Sequence, residues 1–463
     1  MFARKWRSIS KLQQIAVGGG NFPQAIVSKR HKFDKREANL WNKTNTDRAL
    51  DHFDDFYGTF YGDLWPSTRL AMLSSPKHCA LVNYYGDYDE TIDKLKNMGC
   101  LDIQEIFEEN RLLKKTKKRK KDPVNMPTNV IETSVEDDES EDLQMFSDER
   151  VIAPGQPNSA YLNFVPTTKL KGMEDWLEEE DQFQYVKPTY DFVVKKQKDE
   201  RLDFPSLLKA FVFPRGDISR FPSPKRSSLG TSNYYLMDAA SLLPVLALNL
   251  QATESVLDLC AAPGGKSLAM LQTLYPNRIV CNDITTSRIS RLNSVLKQYI
   301  GQTTTWKHQL EVRASNALHW SEFDAFDKVL VDAPCTNDRH SVMEDDNNYF
   351  KKDRMKERIS LPETQSALLI AGVRACKPGG TIVYSTCSLS PIQNDGVVHM
   401  AIKQLKEIYK IDMVVKDMSM TMNHFKFLCR FAPSSSLRYG QVALPSIVNN
   451  FGPMYISKLQ RVI

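Results

Sequence analysis

No two of the eight cysteines stand in a C-x-x-C pair. Cys79, Cys100, Cys260, Cys281, Cys335, Cys376, Cys387 and Cys429 are scattered singly along 463 residues. That distribution argues against a structural zinc site and against the disulfide framework of a small secreted protein. Long apolar runs are missing too: the best stretch, "LLPVLALNL" (242–250), is too short to cross a bilayer and contains a proline. Neither a membrane span nor a bound metal is expected. Acidic residues are absent from 1–33, where lysines and arginines alternate with serines and apolar residues. This is the composition of a mitochondrial transit peptide rather than a secretory signal, with a basic arm touching RNA as the alternative.

Two nucleotide motifs are also incomplete. "GGKS" (264–267) resembles the end of a phosphate loop, but Cys260 stands where that loop needs a glycine. Strict G-x-G-x-x-G does not occur, which weakens a dinucleotide reading. An N/D-P-P-aromatic motif, required for methylating the amino group of adenine, is replaced by "DAPC" (332–335).

What is present divides the chain. From 45 to 107 an aromatic-rich stretch looks folded. From 108 to 200 come "KKTKKRKK" (114–121), "EDDESED" (136–142) and "EDWLEEED" (174–181), blocks of like charge that bury too little apolar surface to order themselves. We read 108–200 as a largely disordered insertion. From about 201 to the end, short β-rich runs (255–260, 278–282, 310–314, 327–332 and 381–385) alternate with helical stretches near 265–274, 286–299, 361–376 and 391–409. Two helix starts are signalled by capping boxes with proline in the first turn, Ser360-x-x-Glu363 with Pro362 and Ser390-x-x-Gln393 with Pro391. The alternation predicts an α/β fold, a doubly wound Rossmann-like parallel sheet whose ligands sit at the strands' carboxyl ends.

The chemistry-bearing residues fall at those ends. Gly264 and Gly265 let a ligand approach the backbone ahead of a helix N-terminus, and Asp283 follows the next strand, where an acid grips ribose hydroxyls. Two further strands end in "LVDAPCTND" (330–338) and "VYSTCSLSP" (383–391), each placing one cysteine just past the strand.

"DLCAAPGGK", "VDAPC" and "YSTCS", in that order, closely resemble the Nop/Sun family of S-adenosylmethionine-dependent RNA cytosine-C5 methyltransferases. "FPRGDISRFP" (213–222), "YYLMDAASLLPVLAL" (234–248) and "NFGPMYISKLQ" (450–460) agree, so the resemblance covers about 202–463. "YGDLWPS" (61–67) points to the mitochondrial ribosomal-RNA branch.

The resemblance implies a class I methyltransferase fold with S-adenosylmethionine bound by Gly264, Gly265, Lys266, Asp283, Arg288, Asn316 and Asp332. Cys387 would be the nucleophile that adds to C6 of cytosine, and Cys335 would assist breakdown of the adduct. Asp332 would hydrogen-bond the base at N3. Two thiols suit this chemistry because C5 attacks a methyl donor only after a thiolate at C6 turns the ring into an enamine. Cys260, Cys281, Cys376 and Cys429 are expected in packing. The implied partners are ribosomal RNA, mitochondrial ribosomal subunits and a helical-repeat protein of the mitochondrial transcription-terminator family, in the mitochondrial matrix. A non-catalytic ribosome-assembly scaffold and a transfer-RNA substrate are the alternatives.

Overall fold

The computed structural model describes residues 43–121, 194–199, 202–301, 309–433 and 436–462. The expected transit peptide (1–33) and both acidic runs of the insertion lie outside the described residues. Thr44–Ile463 forms one compact unit.

Fourteen strands are described: β1 Cys79–Val82, β2 Leu101–Asp102, β3 Lys195–Lys198, β4 Ala210–Val212, β5 Tyr234–Met237, β6 Ser255–Asp258, β7 Arg278–Asp283, β8 Leu310–Ala314, β9 Phe326–Asp332, β10 Cys376–Thr386, β11 Met413–Asp417, β12 Arg430–Phe431, β13 Gln441–Leu444 and β14 Met454–Arg461. Strands β10, β9, β6, β7 and β8 lie side by side in that order, all parallel. From β6 the chain winds one way to β7 and β8, then returns to the other side for β9 and β10. The reversal opens a crevice between β6 and β9, the place where such sheets bind ligands. Antiparallel β14 extends the sheet beyond β10, with β13 along its first half and β11 along its second.

The inner parallel strands are buried on both faces, as "FDKVLVD" shows with Phe326, Val329, Leu330 and Val331 all at 0% exposure, whereas β8 is partly exposed. One face packs against helices Leu242–Leu248, Gly265–Gln272 and Thr286–Ile300. The other packs against Asn45–Tyr61, Met355–Ala375 and Val397–Gln404.

Three expectations need correction. First, residues 45–107 do not stand apart: β1 and β2 pair with β4 and β5 in a second, four-stranded antiparallel sheet, and helix Asn45–Tyr61 shares the core under the main sheet. Second, the insertion is ordered at both ends. Helix Ile103–Lys121 runs through the lysine block, because Phe107, stacked on Phe425, anchors its start and each later residue then adds one hydrogen bond in a sequence of good helix formers. At the other end β3 pairs with β11.

Third, neither capping box forms. Pro362 lies inside helix Met355–Ala375, which starts five residues before Ser360. Ring contacts made by Arg354 on Tyr349 (3.9 Å) and Arg358 on Phe350 (4.3 Å) help hold that extra turn, offsetting part of the roughly 3 kcal/mol a proline costs within a helix. Gln393 turns away from Ser390: its amide accepts from the Thr336 N–H (3.1 Å) and from Gln365 (3.2 Å).

Candidate active site

The acidic or thiol-bearing ends of three strands, β6, β9 and β10, converge on the crevice. β6 ends at Asp258, whose Oδ2 accepts from Ser267 Oγ at 2.6 Å. Its Oδ1 is buried and meets no donor of the protein. Burial pushes this carboxyl up to about 7; the Ser267 hydrogen bond opposes that rise, and the charge of Asp332 adds to it.

The turn that follows needs its glycines. Gly264 has φ +111°, and a Cβ there would stand 2.8 Å from Leu292 Cδ1. A Cβ on Gly265 would come within 3.1 Å of the Tyr235 ring. Beside this turn lies a cavity of about 240 Å³, walled by Tyr235, Met237, Asp258, Gly265, Lys266 and Asp332 among others. Cys260, expected in packing, also lines it.

Lys266 and Asp332 face each other across the crevice, with Nζ 2.7 Å from Oδ2. Asp332 Oδ1 accepts from Ser385 Oγ on β10 at 2.7 Å. Burial lowers the Lys266 ammonium's pKa, and the Asp332 carboxylate outweighs that and raises it. The Lys266 ammonium is therefore charged at neutral pH.

The two cysteines singled out in the sequence meet: Cys335 Sγ lies 3.1 Å from Cys387 Sγ. Cys335 is buried and Cys387 half-buried. The Cys387 thiol is held well above its usual value, first by the hydrogen bond to Cys335, then by burial and the charges of Cys335 and Asp332. Lys266 pulls the other way. So close a pair resists double ionisation. Cys387 also feels the charges of the Lys266–Asp332 pair.

The remaining expected contacts form a second group beyond the cavity wall. Asp283, at the end of β7, is almost fully buried; Arg288 Nε donates to its Oδ2 at 3.1 Å and the Ala262 N–H at 3.2 Å. Arg288 also reaches the Ala262 carbonyl at 2.8 Å, so this arginine braces the glycine turn. Asn316 spends its amide oxygen on the Leu318 N–H (3.1 Å), capping a short turn after β8. Asp258 was not among the residues expected. Its sequence signal is its place at the end of a buried strand, two residues before Cys260.

Cofactor fit rests on two observations: Asp258, whose buried Oδ1 meets no donor of the protein, is among the residues that line the cavity, and the adjoining turn is glycine, with Gly264 at a φ of +111° that disfavours a side chain. Both suit a ligand with a cationic amino group laid close against the backbone. Among the described residues no cluster of His, Cys, Asp and Glu could hold a metal ion, and no helix is long and apolar enough to cross a membrane.

Comparison with known proteins adds a family. The family model described as "16S rRNA methyltransferase RsmB/F" matches residues 245–460. The 5-cytosine rRNA methyltransferase NSUN4 of Mus musculus is 38% identical over 442 residues, 94% of each chain. The corresponding Caenorhabditis elegans protein is 33% identical, covering 91% of this chain and 93% of its own. A mitochondrial tRNA (cytosine(34)-C(5))-methyltransferase of Danio rerio is 37% identical but covers 55% of this chain and 67% of its own. Among solved structures, a Pyrococcus horikoshii methyltransferase homologue superposes with a TM-score of 0.50 at 18% identity, covering 90% of this chain and 98% of its own, a likeness of fold alone.

Proposed function

From a chain that belongs to the NSUN4-type family of 5-cytosine rRNA methyltransferases, we propose a methyl transfer that runs through a covalent bond between Cys387 and C6 of the target cytosine. The enzyme is an RNA cytosine-C5 methyltransferase with S-adenosylmethionine as cofactor. The observation that carries the covalent reading is the thiol pair at 3.1 Å beside Lys266 and Asp332.

Bound S-adenosylmethionine supplies an electrophilic methyl group. Asp258 would accept hydrogen bonds from its amino group, Asp283 from its ribose hydroxyls, and the Gly264-Gly265 backbone would lie against it. Arg288 holds Asp283 and the turn in place. Asn316 is proposed near the adenine, its amide NH₂ being the end left for a ligand. The target base must leave its stack to reach the crevice, so the site suits single-stranded or loop RNA. Asp332 would relay a proton to N3 of the flipped base and accept a hydrogen bond from the resulting N3–H, making C6 more electrophilic, and Lys266 keeps Asp332 oriented. Cys387 passes its proton by way of Asp332 to N3 of the base as its sulfur adds to C6, and C5 becomes nucleophilic. After C5 is methylated, Cys335 acting as thiolate would take the C5 proton, the C6–S bond breaks, and Cys387 leaves as thiolate and recovers its proton from N3 of the base.

Because the Cys387 thiol is held above its usual value, it is protonated in the resting enzyme at neutral pH. Adduct formation is expected to rise about tenfold per pH unit between about pH 6 and 8. A flat profile in single-turnover trapping would count against a resting thiol. For the cofactor, Asp283→Ala is expected to weaken binding by roughly 10–100-fold, the usual range for a hydrogen bond to a charged group. Calorimetric titration showing unchanged affinity would remove Asp283 from the ribose.

The substrate we propose is a cytosine of mitochondrial small-subunit ribosomal RNA, in the matrix, with a role in assembling ribosomal subunits. The acid-free segment 1–33 and the rRNA-methylating relatives support this. A helical-repeat protein of the transcription-terminator family is proposed as the partner that supplies RNA selection. Bisulfite sequencing with and without the protein tests the substrate: one mitochondrial rRNA cytosine should lose its protection. Loss confined to a transfer RNA would move the substrate, and no loss at all would favour the assembly scaffold.

A further inference from the structure

Asp338 follows Cys335 by three residues and is fully buried, at 0% exposure. Its carboxylate gathers donors from both thiol loops. Thr336, next to Cys335, donates its hydroxyl to Oδ1 at 2.5 Å. Ser388, next to Cys387, donates from 3.1 Å, and the Leu389 N–H donates at 2.7 Å. A fourth donor comes from far away in the chain: the hydroxyl of Tyr57, at 2.7 Å.

Helix Asn45–Tyr61, which carries Tyr57, is fastened to the thiol loops in its last turns and to the chain beyond helix Asp338–Met343 nearer its start. At its start, Asp345 Oδ1 accepts from the N–H groups of Asn45 (2.9 Å) and Thr46 (3.1 Å). Phe53 packs edge-on against Phe350, ring centroids 5.1 Å apart. At its end, the Tyr61 hydroxyl donates to the Leu389 carbonyl at 2.7 Å. None of these residues lines the cavity; Tyr57 and Tyr61 bear on the thiol loops, while Asp345 and Phe350 lie on the chain that continues from Cys335 beyond helix Asp338–Met343.

We propose that Asp338, held by Tyr57, is a positioning residue that fixes the separation of Cys335 and Cys387, with helix Asn45–Tyr61 as its strut. A buried carboxylate with four donors is satisfied in one arrangement only, so it locks the donors' main chains together. Cys335 and Cys387 are bonded neighbours of two of those donors. Their spacing matters because one sulfur stays on C6 while the other reaches the C5 proton, and a displacement of about 1 Å in such a site costs on the order of 100-fold in rate. The proposal rests on the thiol roles given above.

Tyr57→Phe removes one donor without changing shape, and Asp338→Asn removes the charge. Turnover is expected to fall about 10-fold for the first and about 100-fold for the second, with KM for RNA and cofactor affinity unchanged. The second readout needs no RNA: the pH midpoint of Cys387 alkylation by iodoacetamide, followed by peptide mass spectrometry. The groups acting on Cys387 are Cys335, Asp332 and Lys266, with Cys335 the largest. Separating the sulfurs therefore moves the midpoint down in both variants, whereas simple exposure raises only the high-pH plateau.

Asp54→Ala serves as the control. Asp54 anchors the same helix through Trp65 (2.9 Å) and Arg69 (2.7 Å), away from the loops, so it should lower the melting temperature and leave the midpoint alone. An unmoved midpoint in Tyr57→Phe overturns the proposal even if Asp338→Asn fails to fold. So does a midpoint that moves equally in Asp54→Ala. A midpoint that moves with turnover unchanged keeps the clamp and instead removes the thiols from the chemistry.

Discussion

Cys387→Ala is expected to abolish methylation, by at least about 10⁴-fold, and to leave no protein–RNA adduct. Cys335→Ala is expected to do the opposite to the adduct. Attack on C6 precedes methyl transfer and elimination follows it, so an enzyme lacking only Cys335 completes the first two steps and stalls. Protein linked to methylated RNA should then accumulate and survive denaturing electrophoresis. The structure adds a second consequence of the same change. Cys335 is the largest cause of the raised Cys387 thiol, so its removal lowers that value and speeds attack at neutral pH. Cys335→Ala should thus trap faster as well as release more slowly. The double variant traps nothing. Adduct in Cys387→Ala and none in Cys335→Ala would exchange the two roles.

The next largest effect is expected at Asp332. Its carboxylate holds Lys266 Nζ and Ser385 Oγ, both at 2.7 Å, and its side chain keeps 29% of its surface open, enough to meet a base. Asp332→Asn keeps the shape and loses the charge, and turnover is expected to drop on the order of 1,000-fold. Asp332→Ala should also cost about 3 kcal/mol of stability, because Lys266 is left as a buried charge without its partner. The sign of the pH dependence follows from the ammonium. In the native pair its pKa is raised above the ordinary 10.5. Its contribution is therefore complete below that value and is lost only as pH rises through the higher folded one. In Asp332→Ala burial wins and lowers it, so the variant should gain stability on moving to alkaline pH while the native protein loses some. Turnover of Asp332→Asn within tenfold of native would sink the assignment to the base. Matching melting temperatures for native and Asp332→Ala would sink the buried-pair account.

Much of the site could be read from the chain because it is written locally. Buried strands announce themselves as apolar runs, Gly264 and Gly265 as a turn, and Cys335 and Cys387 by standing just past strand ends. Other parts were not legible. Nothing near Asp338 says that Tyr57 will meet it, since the two lie 281 positions apart in the chain and the contact depends on how helix Asn45–Tyr61 docks. Helix Met355–Ala375 misled for the same reason. Its local signal at Ser360 is a good start, overruled by ring contacts to Tyr349 and Phe350 that only the folded chain supplies. The near-neutral carboxyl of Asp258 likewise comes from burial, which the sequence states only as an average.

The position of β14 bears on how the protein is made. Ser457 pairs with Tyr384 of β10 on one side, while Met454 and Arg461 pair with β13 and β11 on the other. A nascent chain emerging from the ribosome therefore holds β10, with its apolar Ile382, Val383 and Tyr384, as an open edge until Met454–Arg461 has been synthesised. Such an edge invites pairing with other chains. Translation halted before that segment would leave the crevice's own wall, the strand leading to Cys387, exposed to aggregation, so a chaperone holding the growing chain at this stage would protect the catalytic sulfur along with the fold.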